Sequence, residues 1–66
     1  MKVTINGEEY NFKQGFSVDQ LLLELKIDAE KIAFEQNLAI VPLSEYKNTT
    51  INEGDNIEIV QFMGGG

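Results

Sequence analysis

The chain contains no histidine and no cysteine, so the Ser–His and Cys–His pairs of nucleophilic catalysis are absent, as are imidazole and thiolate metal ligands. Ser17 stands just before an apolar-periodic run and is better placed as a helix cap than as a nucleophile. The 11 acidic residues are scattered along the sequence. Asp28 and Glu30 lie close together, as do Glu53 and Asp55, but each pair falls in a predicted turn and reads as neither a metal site nor an acid–base pair. The segment "KQGFS" before the helix has one glycine and lacks the spacing and lysine of a phosphate-binding loop. No metal, no bound cofactor and no catalytic centre of its own is expected. What remains is the closing "FMGGG", Phe62 to Gly66. A terminal Gly66 carboxylate has no Cβ beside it, and Gly64 and Gly65 allow backbone conformations closed to other residues, as passage through a narrow channel requires. Inside another enzyme such a carboxylate can attack the α-phosphate of ATP. The resulting acyl-adenylate can then accept a thiol, an amine or a persulfide sulfur. The same glycines are compatible with a frayed end or an expression remnant.

The elements that would position this end follow from local pattern. Lys2 to Ile5 alternates polar and apolar, Asn6-Gly7 is a type I′ turn signal, and Glu9 to Phe12 alternates again, which predicts a β-hairpin. Ser17 as N-cap with Gln20 three residues later forms a capping box, and Phe16 with Leu21 suits a hydrophobic staple. Asp19 complements the helix dipole. Val18, Leu21, Leu22 and Leu25 make one apolar stripe, with Leu23 off it, and the helix is expected to end near Lys26. "KIDAEK" reads as a polar connection. Ile32 to Phe34 predicts a short strand, a turn follows at Gln36-Asn37, and Ala39 to Val41 reads as a strand that Pro42 ends or confines to an edge. In "LSEYKNTT", a loop with one helical turn, Leu43 and Tyr46 are expected to pin the segment to the core. Glu53-Gly54-Asp55 is a turn before the final strand, "NIEIVQF".

One amphipathic helix among alternating strands predicts a two-layer α+β domain. The apolar first and last strands form the natural centre of its sheet, parallel if adjacent, with a right-handed crossover through the helix layer. That is a β-grasp: a mixed sheet of about four to five strands with one helix packed across it, expected over residues 1–62, with a flexible glycine tail at 63–66. In the last strand Ile57 and Ile59 share one parity, while Val60 and Phe62 share the other. With the isoleucines inside, Val60 and Phe62 point outward and form a small apolar patch next to Met63 and the tail. Such a patch can mark an interaction site, although single apolar surface residues are also common.

Composition limits the partners. The net charge is −6 and every basic residue is a lysine, which disfavours nucleic acid and anionic membranes. There is no apolar run of the roughly 18 residues a transmembrane helix needs, and no signal-peptide core, so a soluble cytoplasmic protein is expected, monomeric on its own. The acidity fits a partner with a basic surface and equally fits ordinary solubility chemistry.

The opening "KVTINGEEY", the "GFSVDQLL" that starts the helix, "IVP" at Ile40 to Pro42, "EGDNIEIV" and the closing "FMGGG" together resemble the ubiquitin-like sulfur carriers, in particular the thiamine-biosynthesis type (ThiS type). The resemblance spans essentially the whole chain. One departure is Asn37-Leu38, where family members often have a second Asn-Gly turn. The resemblance implies that an adenylating enzyme of the ubiquitin-activating type docks the sheet and uses its own ATP to adenylate Gly66. A persulfide donor such as a cysteine desulfurase supplies sulfur for a thiocarboxylate, and thiazole synthase receives it. Gly64 and Gly65 then give clearance, and Val60, Phe62 and Met63 seat the partner. A carrier for molybdopterin synthesis or tRNA thiolation, or a protein modifier joined through Gly66 to lysine, carries the same terminal chemistry. A plain interaction module with an inert tail is the remaining alternative.

Overall fold

Strands β1 (Lys2–Ile5) and β2 (Glu8–Asn11) close into an antiparallel hairpin in which Ile5 pairs with Glu8. The two residues between them, Asn6 and Gly7, have φ of 51° and 83°, the left-handed pair that a type I′ turn requires. Phe12 continues the pattern beyond the ladder, its ring stacked on Tyr10 at 6.0 Å and set edge-on to Phe16 at 5.3 Å. The computed structural model describes residues 1–62. The expected glycine tail, and with it Met63, Gly64, Gly65 and Gly66, lies outside the described residues.

Helix α1 (Val18–Glu24) begins with the expected capping box: the Ser17 Oγ accepts from the Gln20 N–H, and the Gln20 Oε1 accepts from the Ser17 N–H. The N–H groups of Val18 and Asp19 donate to the carbonyls of Thr49 and Tyr46. The helix start is therefore satisfied partly by the long connection that precedes the last strand. Val18, Leu21 and Leu22 are buried and Leu25 packs partly on the core, while Leu23 is exposed. The helix ends slightly earlier than expected, in a Schellman turn: the N–H of Ile27 reaches the carbonyl of Leu22, and Lys26 adopts φ 60°. The connection after it is more structured than its polar composition implied. Asp28 caps a single 3₁₀ turn, Ala29–Lys31, and Ile27 and Ala29 lean on the core.

Strands β3 (Ile32–Gln36) and β4 (Ala39–Val41) form a second two-residue hairpin, Gln36 opposite Ala39. Its loop is Asn37 (φ 53°) and Leu38 (φ 73°). The type I′ geometry is thus kept although leucine stands where glycine would be unstrained, because the strand register leaves only two residues to close the loop. Leu38 is exposed and buries nothing in compensation. Leu38→Gly should therefore raise stability by about 1 kcal/mol, part of the gain being offset by the freer unfolded chain. A guanidinium titration would show it as a higher midpoint at unchanged slope.

Strand β5 (Asn56–Gln61) completes the sheet in the order β2-β1-β5-β3-β4. It runs parallel to β1 and antiparallel to β3. This is the β-grasp, and β4 is indeed an edge strand stopped by Pro42. One cluster of buried residues lies between sheet and helix, with Phe34 wholly inside it. In the connection from Pro42 to Asp55, Tyr46 is buried with its ring 5.9 Å from Phe34. Leu43, expected to pin the segment as well, does not: it opens the 3₁₀ turn Leu43–Glu45 directly after edge strand β4, and its side chain remains at the surface. Ile51, unremarked in its polar surroundings, is a fully buried anchor of the same segment.

Candidate functional site

The last strand presents its two faces as the alternation predicted. Ile57 and Ile59 are buried on the helix side, while Val60 and Phe62 remain 55% and 58% exposed. Cross-strand register shows what surrounds them on the open face. Ala33 lies opposite Val60, Glu35 lies opposite Glu58, and Ile40 of β4 lies opposite Glu35. Ile40 is 68% exposed, so it joins the apolar face that Val60 and Phe62 begin. The sequence placed Ile40 in the Ala39–Val41 strand but not on this face. Its signal was the same period of two: with Val41 inward, Ile40 must point out. Glu35 and Glu58 face each other directly across strands, an arrangement of like charges that disfavours the isolated sheet and gives the apolar patch an acidic border.

Main-chain and side-chain bonds fix this strand as far as the described residues go. The Phe62 N–H donates to the Lys31 carbonyl at 2.9 Å, extending the β3 ladder by one rung. On the other side β1 has already turned away, and the Asn6 amide replaces it. Asn6 Oδ1 accepts from the Ile59 N–H at 2.8 Å, and Asn6 Nδ2 donates to the Ile59 carbonyl at 3.2 Å. One residue thus both makes the hairpin turn and clamps the strand that carries the patch.

At the opposite end of β5, Asp55 is a buried carboxylate. Its Oδ2 accepts from the Gln36 amide at 2.7 Å and the Asn52 N–H at 2.8 Å, and its Oδ1 accepts from the Asn37 amide at 3.0 Å. Burial pushes its pKa up, but the hydrogen bonds from Asn52, Asn37 and Gln36 outweigh burial and hold the carboxyl below the ordinary aspartate value. Asn37 in turn accepts from the Asn56 N–H at 2.9 Å, tying the strained hairpin to the start of β5. Two of the other carboxylates weighed for chemistry also have structural partners: Asp28 accepts from the Glu30 N–H and Glu53 from the Lys2 N–H, both at 3.0 Å. Among the described residues no group of three or more potential metal ligands is assembled, and no helix is long and apolar enough to cross a membrane.

A β-grasp sheet whose last strand displays an apolar, acid-bordered face and runs toward a glycine end defines a ubiquitin-like protein. Comparison with known proteins narrows the class. The model of the ThiS family matches residues 3–66, and the chain belongs to that family. The crystal structure of a thiamine biosynthesis protein (ThiS) from Geobacter metallireducens superposes with a TM-score of 0.88 at 33% identity, both chains being covered in full. The chain is also 53% identical over its whole length to a thiazole synthase of Paramagnetospirillum magneticum and 41% identical to one of Magnetococcus marinus. It spans only about 20% of the length of these two proteins. An uncharacterized protein ycf40 of Porphyra purpurea, 36% identical, is matched over 93% of its length.

Proposed function

We propose that this chain is a sulfur carrier of thiamine biosynthesis, acting as a co-substrate of enzymes rather than as one. The observation that carries the reading is the end of β5, where a strand clamped by Asn6 and Lys31 presents Val60 and Phe62, with only Met63 between Phe62 and the triple glycine of a ThiS-family chain. An adenylating enzyme of the ubiquitin-activating type docks the open sheet face, with Met63 extending the contact. The Gly66 carboxylate attacks the α-phosphate of that enzyme's ATP and pyrophosphate leaves. The terminal sulfur of a protein persulfide, such as that of a cysteine desulfurase, then attacks the acyl-adenylate carbonyl and AMP leaves. A further thiol reduces the resulting acyl disulfide, releasing the thiocarboxylate. Thiazole synthase takes the sulfur; two relatives that bear that name contain a counterpart of this whole chain within one polypeptide. Gly64 and Gly65 leave the backbone narrow enough for both active sites, and the acidic border formed by Glu35 and Glu58 suits basic groups on the partner. The carrier works in the cytoplasm and holds no cofactor.

The test is the mass of the intact protein after incubation with the cognate adenylating enzyme, ATP and a persulfide donor. The expected change is one oxygen replaced by sulfur at Gly66, absent from a chain lacking Gly65 and Gly66. An unchanged full-length chain would refute the carrier reading. Covalent conjugates with other proteins would replace it with that of a modifier, and sulfur transfer only to molybdopterin or tRNA enzymes would replace the pathway.

A further inference from the structure

Strand β5 outruns its parallel neighbour. The β1–β5 ladder ends with Ile5 opposite Ile57, and the Asn6 amide closes the N–H and carbonyl of Ile59. The main chain of Val60 and Phe62 faces β3, as the Phe62–Lys31 bond shows, so that of Gln61 faces the side β1 has vacated. Among the described residues the Gln61 N–H and carbonyl have no partner. Beside them, on the helix face of the sheet, opens a cleft of about 460 Å³. Ile5, Tyr10, Leu25, Ile27 and Ile59 give it an apolar floor, and Glu8 is the only charged residue in its lining. An unpaired strand edge and a cleft whose apolar residues are joined by Asn6, Glu8 and Gln61 thus meet at one residue.

We propose that this slot receives an extended peptide segment of the enzyme that takes up the chain's end. The segment adds as a short strand in line with β1, exchanging hydrogen bonds with Gln61. It seats one apolar side chain in the cleft and sets a lysine or arginine against Glu8. A donor and an acceptor at strand spacing are best matched together by another extended backbone. The cleft falls within the volume range that takes a ligand. Its charged rim, on a chain of net charge −6, selects a basic segment over an acidic one. Position names the source: Gln61 lies three positions before Gly64 in the sequence, so an enzyme that grips the glycines has its own backbone within reach. The hairpin turn at Asn6-Gly7 closes the other end of the slot. The proposal rests on the carrier reading for the identity of the enzyme.

The decisive variant is Gln61→Pro. Its missing N–H is not used by β3, so the fold is retained, while the slot loses its donor. Amide and methyl NMR would be followed during titration with a capped Lys-Val-Leu-Val-Lys peptide, and the KM of the cognate adenylating enzyme for the carrier would be measured alongside. Saturable shifts at Gln61, Ile5, Ile27 and Ile59, a weaker response to Glu-Val-Leu-Val-Glu, and at least a tenfold loss in both assays for Gln61→Pro support the slot. Glu8→Lys should reverse the preference between the two peptides. Shifts confined to Val60 and Phe62, no saturable shift, or a folded Gln61→Pro variant with unchanged KM overturn it. Sulfur loading of Gly66 with unchanged KM in that variant removes the slot and leaves the carrier standing. Peptide seating without sulfur loading removes the carrier reading instead.

Discussion

Replacing Asp55 with alanine is expected to lower the midpoint of thermal unfolding by roughly 12–24 °C, the shift that about 3 kcal/mol produces in a domain of this size. Asp55 accepts from the Gln36 and Asn37 amides and from the Asn52 N–H at 2.7–3.0 Å. Truncating it leaves three donors short of an acceptor, and each such loss at a charged, buried acceptor costs on the order of 1–3 kcal/mol, with some recovery as water enters. Small domains have only about 5 kcal/mol to lose, so the variant should be near the edge of folding. The hub also joins the Asn37-Leu38 hairpin, the Asn52–Asn56 turn and the start of β5, so the loss is not local. The wild type should show the same dependence on pH. The folded carboxyl lies below its ordinary value, so its contribution is complete above the unfolded pKa of about 3.9 and is lost as pH falls below that through the folded value. Asp55→Asn, which cannot titrate, should flatten this acid limb; calorimetry of both proteins between neutrality and pH 3 checks the sign. A limb equally steep in Asp55→Asn would assign the acid sensitivity elsewhere.

The second large effect belongs to the open face. If the chain is the proposed carrier, Val60→Ala with Phe62→Ala should lower kcat/KM for its adenylation by about 30- to 100-fold, the loss of a two-residue hot spot, with the thermal midpoint nearly unchanged. Stability is spared because both side chains are more than half exposed and substitutions at such positions seldom exceed about 0.5 kcal/mol. Ile40→Ala, farther from the chain end on the same face, should give a smaller loss in the same direction. On the proposed function the loss falls mainly in KM, because these residues would contact the partner and no reacting atom. Adenylation at the wild-type rate by a folded double variant would detach the patch from the function.

Where information was local, the sequence was easy to read. Asn6-Gly7 demands a hairpin, Ser17 and Gln20 lie three residues apart and close on each other, and a period of two in β5 sorts Ile57 and Ile59 from Val60 and Phe62. Residues whose roles depend on distant partners were harder. Asp55 looked like an ordinary turn carboxylate because Asn37 and Gln36 are 18 and 19 positions away. Ile51 sits in a polar run, and only tertiary packing makes it core. The Asn37-Leu38 turn left its geometry open, and the strand pairing on either side settled it against leucine's own preference. Leu43 and Tyr46 were both expected to pin their segment, and nothing in their spacing showed that only Tyr46 would be buried. The patch itself was half legible: β5 shows Val60 and Phe62, but only the register through Glu35 places Ile40 on the same face of the sheet.

The clamp between Asn6 and Ile59 joins positions 53 residues apart. Contacts of such sequence separation form late, because the entropy of closing a long loop must be met before they contribute. The two hairpins and the capped helix are local and can form in microseconds, whereas β5 can join the sheet only when β1 and β3 are both present to receive it. Refolding should therefore be slower than the helix content implies. The docking face and the strand that delivers the chain's end would then come into being in the last cooperative step. If the proposed carrier function holds, a partially folded chain would present neither that face nor the clamped strand to a partner enzyme, so the order of assembly would bear on which molecules can be loaded.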